Sequence, residues 1–319
     1  MTCVQAFVDD YRKRIFLKKQ WSILLGSGLS LVLLVGWLFA VTASVPAAVF
    51  DGERALADIE AQLSFGPRTP ESPGRVQFLQ WAQAEFSASG WTTAPQAAEI
   101  DGHEITNLVA QHEARADGQP WFILAAHYDT RIYADQDPDP EKRGLPVPGA
   151  NDGASGVAVL LELARVIPAD YPAEIWLVLF DAEDNGRIEG WDWILGSRAF
   201  VAALEGQPDA VIIVDMIGDA DLNIKMERNS DVALTFSIWE QAAALGYSAY
   251  FLPMMGYSML DDHTPFLQAG IPAVDVIDFD YPYWHTTEDT LDKVSAESLQ
   301  IVGDTLLAWL QNRVAPLDK

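Results

Sequence analysis

The chain has 319 residues, half of them hydrophobic, and sets 46 acidic groups against 20 basic ones for a formal charge of −26. A field of that sign repels phosphate backbones, so nucleic acid is excluded as an expected partner. Cys3 is the only cysteine, which excludes an intrachain disulfide framework.

In chain order, a basic segment over 1–20 holds Arg12, Lys13, Arg14, Lys18 and Lys19, and residues 21–43 then carry no charged side chain. At about 1.5 Å per residue, such a run crosses a hydrocarbon layer about 30 Å thick. The basic flank predicts a single-pass anchor in the cell membrane, with the N-terminus cytoplasmic and the bulk of the chain outside. A cleaved signal peptide is the alternative, since TASVPAA (42–48) offers small residues, but the span is long for one. The remaining 269 residues carry 15 of the basic and 44 of the acidic groups, a formal charge of −29. That balance also suits a surface kept soluble at high salt. No boundary rich in glycine or serine divides this part, so one extracytoplasmic domain is expected over 51–319.

Helical spacing over 52–63 precedes a turn-rich stretch, 65–74, in which Ser72-Pro73 forms a cap and first-turn pair. The helix that follows places Val76, Leu79, Ala82 and Phe86 on one stripe and stops at Gly90. Strands are expected at 104–111 and 121–126. The proline-rich loop 130–150 alternates Asp135, Asp137 and Asp139 but lacks the glycine and terminal glutamate of a calcium loop, and reads as a solvated acidic rim. Helix 154–167, strand 174–180, helix 193–204, strand 210–215, helix 231–245, strand 271–277 and helix 295–310 then alternate. The expected fold class is α/β: a mixed, largely parallel central sheet with helices on both faces, preceded by one transmembrane helix.

The chemistry-bearing residues fall at the ends of these apolar runs. His127, Asp184, Asp215 and His285 follow or close strand-like segments, and Asp152 precedes the helix-like ASGVAVLLELARVI. Open α/β sheets gather ligands at the carboxyl ends of their strands, and two imidazoles with three carboxylates suit zinc. Asp152 reads as a helix cap, as a ligand, or as both at once. Glu183-Asp184 is a pair of acids directly after a buried strand, where burial without partners is costly; Asp184 is assigned to metal and Glu183 to general acid/base work. The bland reading of that pair is a solvated turn ahead of Asn185-Gly186. Asp129 can orient the His127 imidazole or its loop. Asp261, Asp262 and His263 form a second polar group, and Glu288 or Asp289 can position His285. His103 and His112 read as surface residues. No GxSxG, HExxH, phosphate loop or dinucleotide fingerprint is present.

The ordered motifs AAHYD, PGANDGASGV, LFDAED, GSRAF, IIVDMIG, DDHTPF and YWHTTEDT, spread over roughly 55–312, resemble the zinc-dependent M28 aminopeptidase-like fold, and within it the glutaminyl-peptide cyclotransferase branch. The aminopeptidase resemblance implies two zinc ions bridged by Asp152, one completed by His127 and Asp215, the other by Asp184 and His285, with Glu183 activating water. The cyclotransferase resemblance implies a single zinc on Asp152, Asp184 and His285, a proton shuttle at Glu183, and an acidic network of Asp215 and Asp261. Trp284, the doubled acid before His263, and a further wall from the segment with Trp191 and Trp193 favour that branch, whose substrate pocket is expected to include Trp284, Trp191, Trp193 and His263. The one departure is Asp184, where the family usually has glutamate. The expected substrate is the N-terminus of a peptide or protein, with glutamine cyclised to pyroglutamate and ammonia released; hydrolysis of the first peptide bond is the alternative.

Overall fold

The computed structural model describes residues 49–112 and 118–314. Helices α1 (Gly52–Ser64) and α2 (Pro73–Ala88) lead into strands β1 (Thr92–Ile100), β2 (His103–Gln111) and β3 (Trp121–His127). Helix α3 (Ala154–Val166), β4 (Glu174–Phe180), α4 (Leu195–Ala203), β5 (Ala210–Asp215) and β6 (Ile224–Met226) follow. The fold closes with α5 (Val232–Ala244), β7 (Phe251–Met255), α6 (His263–Gln268), β8 (Ala273–Ile277) and α7 (Ala296–Val314). The main sheet has the order β1-β2-β4-β3-β5-β8. Strands β4, β3, β5 and β8 run parallel, and the β1/β2 hairpin adds antiparallel to β4, so the sheet is mixed and largely parallel as expected.

The central strands are apolar on both faces because both are covered. Phe122, Leu124 and Ala126 of β3, with Ile212 and Val214 of β5, pack into the larger core with α1, α2, α3 and α7. Their neighbours Ile123, Ala125, Val211 and Ile213 point the other way, toward Phe200 of α4 and Phe266 of α6. Ser72 caps α2 by accepting from the Arg75 amide, with Pro73 in the first turn. The buried stripe of α2 is Phe78, Ala82 and Phe86, whereas Val76 is exposed. The stripe expected through Val76 is therefore rotated, because the large Phe78 ring stacks on Tyr128 at 4.9 Å.

Strand β1 lacks an apolar run and has no fully buried residue, so hydrophobic patterning does not announce it. It forms because Asp101-Gly102, with φ of 54° and 86°, makes a two-residue turn that pairs Ile100 with His103. The short pair β6/β7 is likewise absent from the sequence reading.

One expectation is corrected. Among the described residues no helix is long and apolar enough to cross a membrane, and the segment 21–43 lies outside them. The fold class stands as the α/β domain alone, and neither the membrane partner nor the single-pass cell-membrane location is carried forward.

Candidate metal centre and active site

The parallel strands end side by side, and their carboxyl ends carry the site. His127 closes β3, Glu183 and Asp184 follow β4, Asp215 closes β5, and His285 lies in the turn beyond β8. Asp152 enters from the loop before α3. Gly153 permits this approach: its φ is +93°, and a β-carbon there would sit 2.8 Å from the Asp129 carbonyl and 3.2 Å from His127 Cε1. Gly153, not Asp152, occupies the N-cap of α3, and no side chain caps that helix. The Asp152 carboxylate is thereby left facing the two imidazoles.

Two His/Asp groups share Asp152. His127 Nε2 lies 3.1 Å from Asp152 Oδ1 and 3.1 Å from Asp215 Oδ1. His285 Nε2 lies 2.7 Å from Asp184 Oδ1 and 3.8 Å from Asp152 Oδ2. Within each set, His127-Asp152-Asp215 and Asp152-Asp184-His285, ligand atoms lie within 4.8 Å of one another and all five residues are buried. Asp152 Oδ2 and Asp184 Oδ2 have no hydrogen-bond partner. Buried carboxylate oxygens are costly when unpaired, so this donor set fits a cation such as zinc. The two triads define one or two zinc sites.

The surrounding residues hold each ligand in place. Asp129 accepts from the backbone amides of Glu183 at 3.0 Å and Asp184 at 3.2 Å and from Asn185 Nδ2 at 3.2 Å, and it faces His127 Nδ1 at 3.5 Å. One carboxylate thus orients a ligand imidazole and the acidic turn together. Asp135 faces His285 Nδ1 at 3.4 Å and pairs with Arg131, which also donates to the Asp184 carbonyl at 2.8 Å. Asp289 accepts from the amides of Asn151 and Asp152 and from the Tyr281 hydroxyl. It therefore positions the Asp152 loop and not the His285 imidazole, while Glu288 pairs with Lys142. The acidic loop 130–150 is not a merely solvated rim: Asp137 is buried and accepts from the Thr287 amide and hydroxyl, which ties the loop to the His285 turn.

Backbone strain concentrates here as well. Ala182, Arg187, Met216 and His285 all adopt positive φ, from 46° to 63°, although none is glycine. Such conformations persist where surrounding structure over-determines them, which functional sites commonly require.

Without a cation the carboxylates crowd one another. Burial pushes the Glu183 carboxyl well up, against the pull of His127, and Asp261 and Asp184 add to the rise. Burial also raises Asp184 to about 6, with Asp152 adding to it, and Asp215 to about 7. For His285, burial lowers the imidazole pKa, but Asp184 and Asp135 more than offset this and raise it to about 9. A divalent ion reverses this local logic by favouring the anions.

Above the triads lies a cleft of about 420 Å³, lined by Asp152, Glu183, Asp184, Asp215 and Asp261 on its polar side. Trp193, Met216, Tyr257, Phe279 and Trp284 are among its apolar walls. Trp284 stacks on the His285 ring at 3.6 Å, and Trp193 lies parallel to it at 6.2 Å. Two expected pocket residues fall elsewhere. Trp191 stacks on His103 beside Ile105 and Leu195, away from the cleft lining. His263 is fully buried behind Asp261, 3.3 Å from Glu227 and 4.0 Å from Asp275. His112 is half-buried against Trp91 and not simply a surface residue. Asp135, Arg131, Glu227 and Asp275 escape the sequence reading. Only Asp135, in the alternating acids, carried any signal there.

An α/β sheet with paired His/Asp triads at its carboxyl edge is the architecture of a zinc-dependent enzyme of the glutaminyl cyclase and M28 type. The model of peptidase family M28 matches residues 107–310, and the chain belongs to that family. The Porphyromonas gingivalis glutaminyl cyclase structure is 32% identical, with a TM-score of 0.78 over 84% of this chain and 100% of that one. A Zn-dependent exopeptidase from Parabacteroides distasonis is 29% identical, with a TM-score of 0.77 over 84% of this chain and 100% of that one. Among curated proteins, Aminopeptidase YwaD of Bacillus subtilis is 30% identical over 209 residues, 60% of this chain but 40% of the aminopeptidase. The similar structures are predominantly of the glutaminyl cyclase branch.

Proposed function

We propose that the domain over 51–319 is a zinc-dependent glutaminyl-peptide cyclotransferase that converts N-terminal glutamine of peptides or proteins to pyroglutamate and releases ammonia. The observation that carries this reading is the asymmetry of the two triads beneath the tryptophan-walled cleft. Within the two triads the carboxylate oxygens without a hydrogen-bond partner are Asp152 Oδ2 and Asp184 Oδ2, and both belong to residues of the His285 group. Both imidazoles already face carboxylates, His127 Nε2 at 3.1 Å and His285 Nε2 at 2.7 Å, so the asymmetry lies in the carboxylates: Asp184 has an unpaired buried oxygen and Asp215 has none. This favours a single zinc on Asp152, Asp184 and His285, next to walls formed by Trp193 and Trp284. The shorter Asp184, in place of the usual glutamate, still brings a carboxylate oxygen 2.7 Å from His285 Nε2.

When bound, the ion supplies Lewis acidity to the side-chain amide carbonyl of the substrate. Glu183 accepts a proton from the α-amino nitrogen as that nitrogen bonds to the amide carbon. It returns the proton to the departing nitrogen, so the C–N bond to the leaving group breaks and ammonia exits. Burial strengthens Glu183 as a base relative to a solvated carboxylate. Asp261 and Asp215, on the same cleft, hold the amine and the amide nitrogen. Trp193 and Trp284 confine the folded glutamine, which makes the intramolecular attack entropically favourable.

A second reading, a dinuclear aminopeptidase, is favoured by one observation: the His127-Asp152-Asp215 atoms are close enough for a second ion. The deciding experiment incubates zinc-loaded protein with a glutamine-initiated peptide and follows mass. Loss of ammonia from an otherwise intact peptide is expected, whereas release of the first residue would replace this reading with the aminopeptidase. Glu183→Gln should retain zinc and lose turnover by about 100-fold or more.

A further inference from the structure

Arg187 stands apart among the basic residues of this acidic chain. Every other described lysine or arginine pairs with a carboxylate, donates to a carbonyl or lies over an aromatic ring. Arg187 alone among the described residues does none of these, yet it lines the cleft as its only cation, opposite five carboxylates. Its position is built. Arg131 holds the carbonyls of Asp184 at 2.8 Å and Gly186 at 3.2 Å. A β-carbon on Gly186 would lie 2.1 Å from the Trp193 ring, so the backbone is pressed against that wall. Arg187 itself then adopts φ of 63°, a left-handed conformation that a non-glycine residue keeps only where its surroundings enforce it. The result is an exposed arginine that lines the cleft from a firmly held backbone, with its guanidinium free to take a partner.

We infer that Arg187 is a specificity-determining residue for substrates that carry a carboxylate just beyond the N-terminal glutamine. The carboxylate belongs either to an Asp or Glu side chain at the second or third position or to the C-terminus of a dipeptide. This inference rests on the cleft receiving a peptide N-terminus. With the first residue held against the acids, the following residues leave the cleft at its rim, where Arg187 stands. The guanidinium offers a bidentate, charge-assisted contact there. The net negative charge of the chain opposes such substrates only at long range, where a Debye length of about 8 Å at physiological salt screens it. A contact at the rim survives that screening better.

The test uses zinc-loaded protein with four peptides: Gln-Glu-Ala-amide, Gln-Lys-Ala-amide, Gln-Ala with a free carboxylate, and Gln-Ala-amide. The kcat/KM for product formation is measured for the unaltered protein, Arg187→Ala and Arg187→Glu. Equilibrium binding of the same peptides to the zinc-loaded Glu183→Gln protein, with and without each Arg187 change, gives a readout that needs no turnover. The expected Glu-to-Lys preference is about tenfold at low ionic strength, shrinking in about 0.5 M salt. It should fall to near unity in Arg187→Ala and invert in Arg187→Glu. The free and amidated Gln-Ala peptides separate the C-terminal from the side-chain carboxylate as the partner. A preference unchanged by Arg187→Ala, or absent in the unaltered protein, overturns the inference. If no peptide is cyclised or hydrolysed, the proposed function falls, and the binding ratio still decides the role of Arg187.

Discussion

Asp129→Asn isolates the carboxylate that joins His127 to the acidic turn. The substitution keeps the shape and removes the charge, and neither amide rotamer restores the bonding. With its oxygen at the Oδ1 position, the new side chain keeps the Glu183 amide but meets the Asp184 amide and Asn185 Nδ2 with a donor. With its oxygen at the Oδ2 position, it keeps those two and loses the Glu183 amide, and its nitrogen turns toward His127 Nδ1. At least one buried hydrogen bond is lost and one donor stranded in either case. Each such loss costs roughly 1–3 kcal/mol, so the unfolding free energy should drop by about 2–4 kcal/mol. Because the same turn carries Glu183 and Asp184, zinc retention and turnover should fall together, turnover by about 10-fold or more. Urea unfolding, metal content after dialysis and ammonia release measure the three effects. A variant with native stability and native turnover would show that the turn is held by something other than Asp129.

Gly153→Ala should destabilise the domain by about 2 kcal/mol or more, since φ of +93° disfavours a side chain and the new methyl would lie 2.8 Å from the Asp129 carbonyl; an unchanged melting temperature would refute the tight approach of this loop. His285→Ala should abolish zinc binding while His127→Ala retains a single zinc, and loss of all metal from His127→Ala, measured by atomic absorption, would count against the one-ion arrangement. Burial pulls the Glu227 carboxyl up, but the His263 imidazole 3.3 Å away and hydrogen bonds from the Met259 and Asn229 amides overcome it and hold it at about 2. A folded pKa below the unfolded value gives stability that is full above about pH 4.3 and lost as pH falls through about 2. Glu227→Gln should therefore lower the unfolding free energy by about 3 kcal/mol at pH 7, with the gap from the unaltered protein narrowing below about pH 4. A gap that stays constant from pH 7 to pH 3 would refute that assignment.

The sequence made much of the scaffold legible because each buried strand and helix carries its own periodicity. Strands β3, β4, β5 and β8 are runs of apolar residues bounded by polar ends, and α3 through α5 show helical spacing, so their order predicts the parallel core. Patterning failed where burial was partial: β1 has no fully buried residue, and its turn residues Asp101-Gly102 were its only mark. The α2 stripe was read correctly at Ala82 and Phe86 but began at Val76 instead of Phe78, because both are apolar and only the position of Tyr128 decides which of them is covered.

The chemistry divides in the same way. By itself the sequence determined that two imidazoles and several carboxylates stand at strand ends, since donor type and strand boundaries are local properties. Only the tertiary structure decided that Trp193 and not Trp191 walls the cleft, that His263 is buried behind Asp261, and that Asp289 serves the Asp152 loop. It also assigned Asp129 to the Glu183-Asp184 turn and Asp135 to His285. The physical reason is separation: Asp129 reaches the Glu183 amide across 54 positions, and Asp289 reaches the Asp152 amide across 137. Such contacts depend on how the crossovers bring distant loops to one edge of the sheet, and no periodicity within a single segment encodes that.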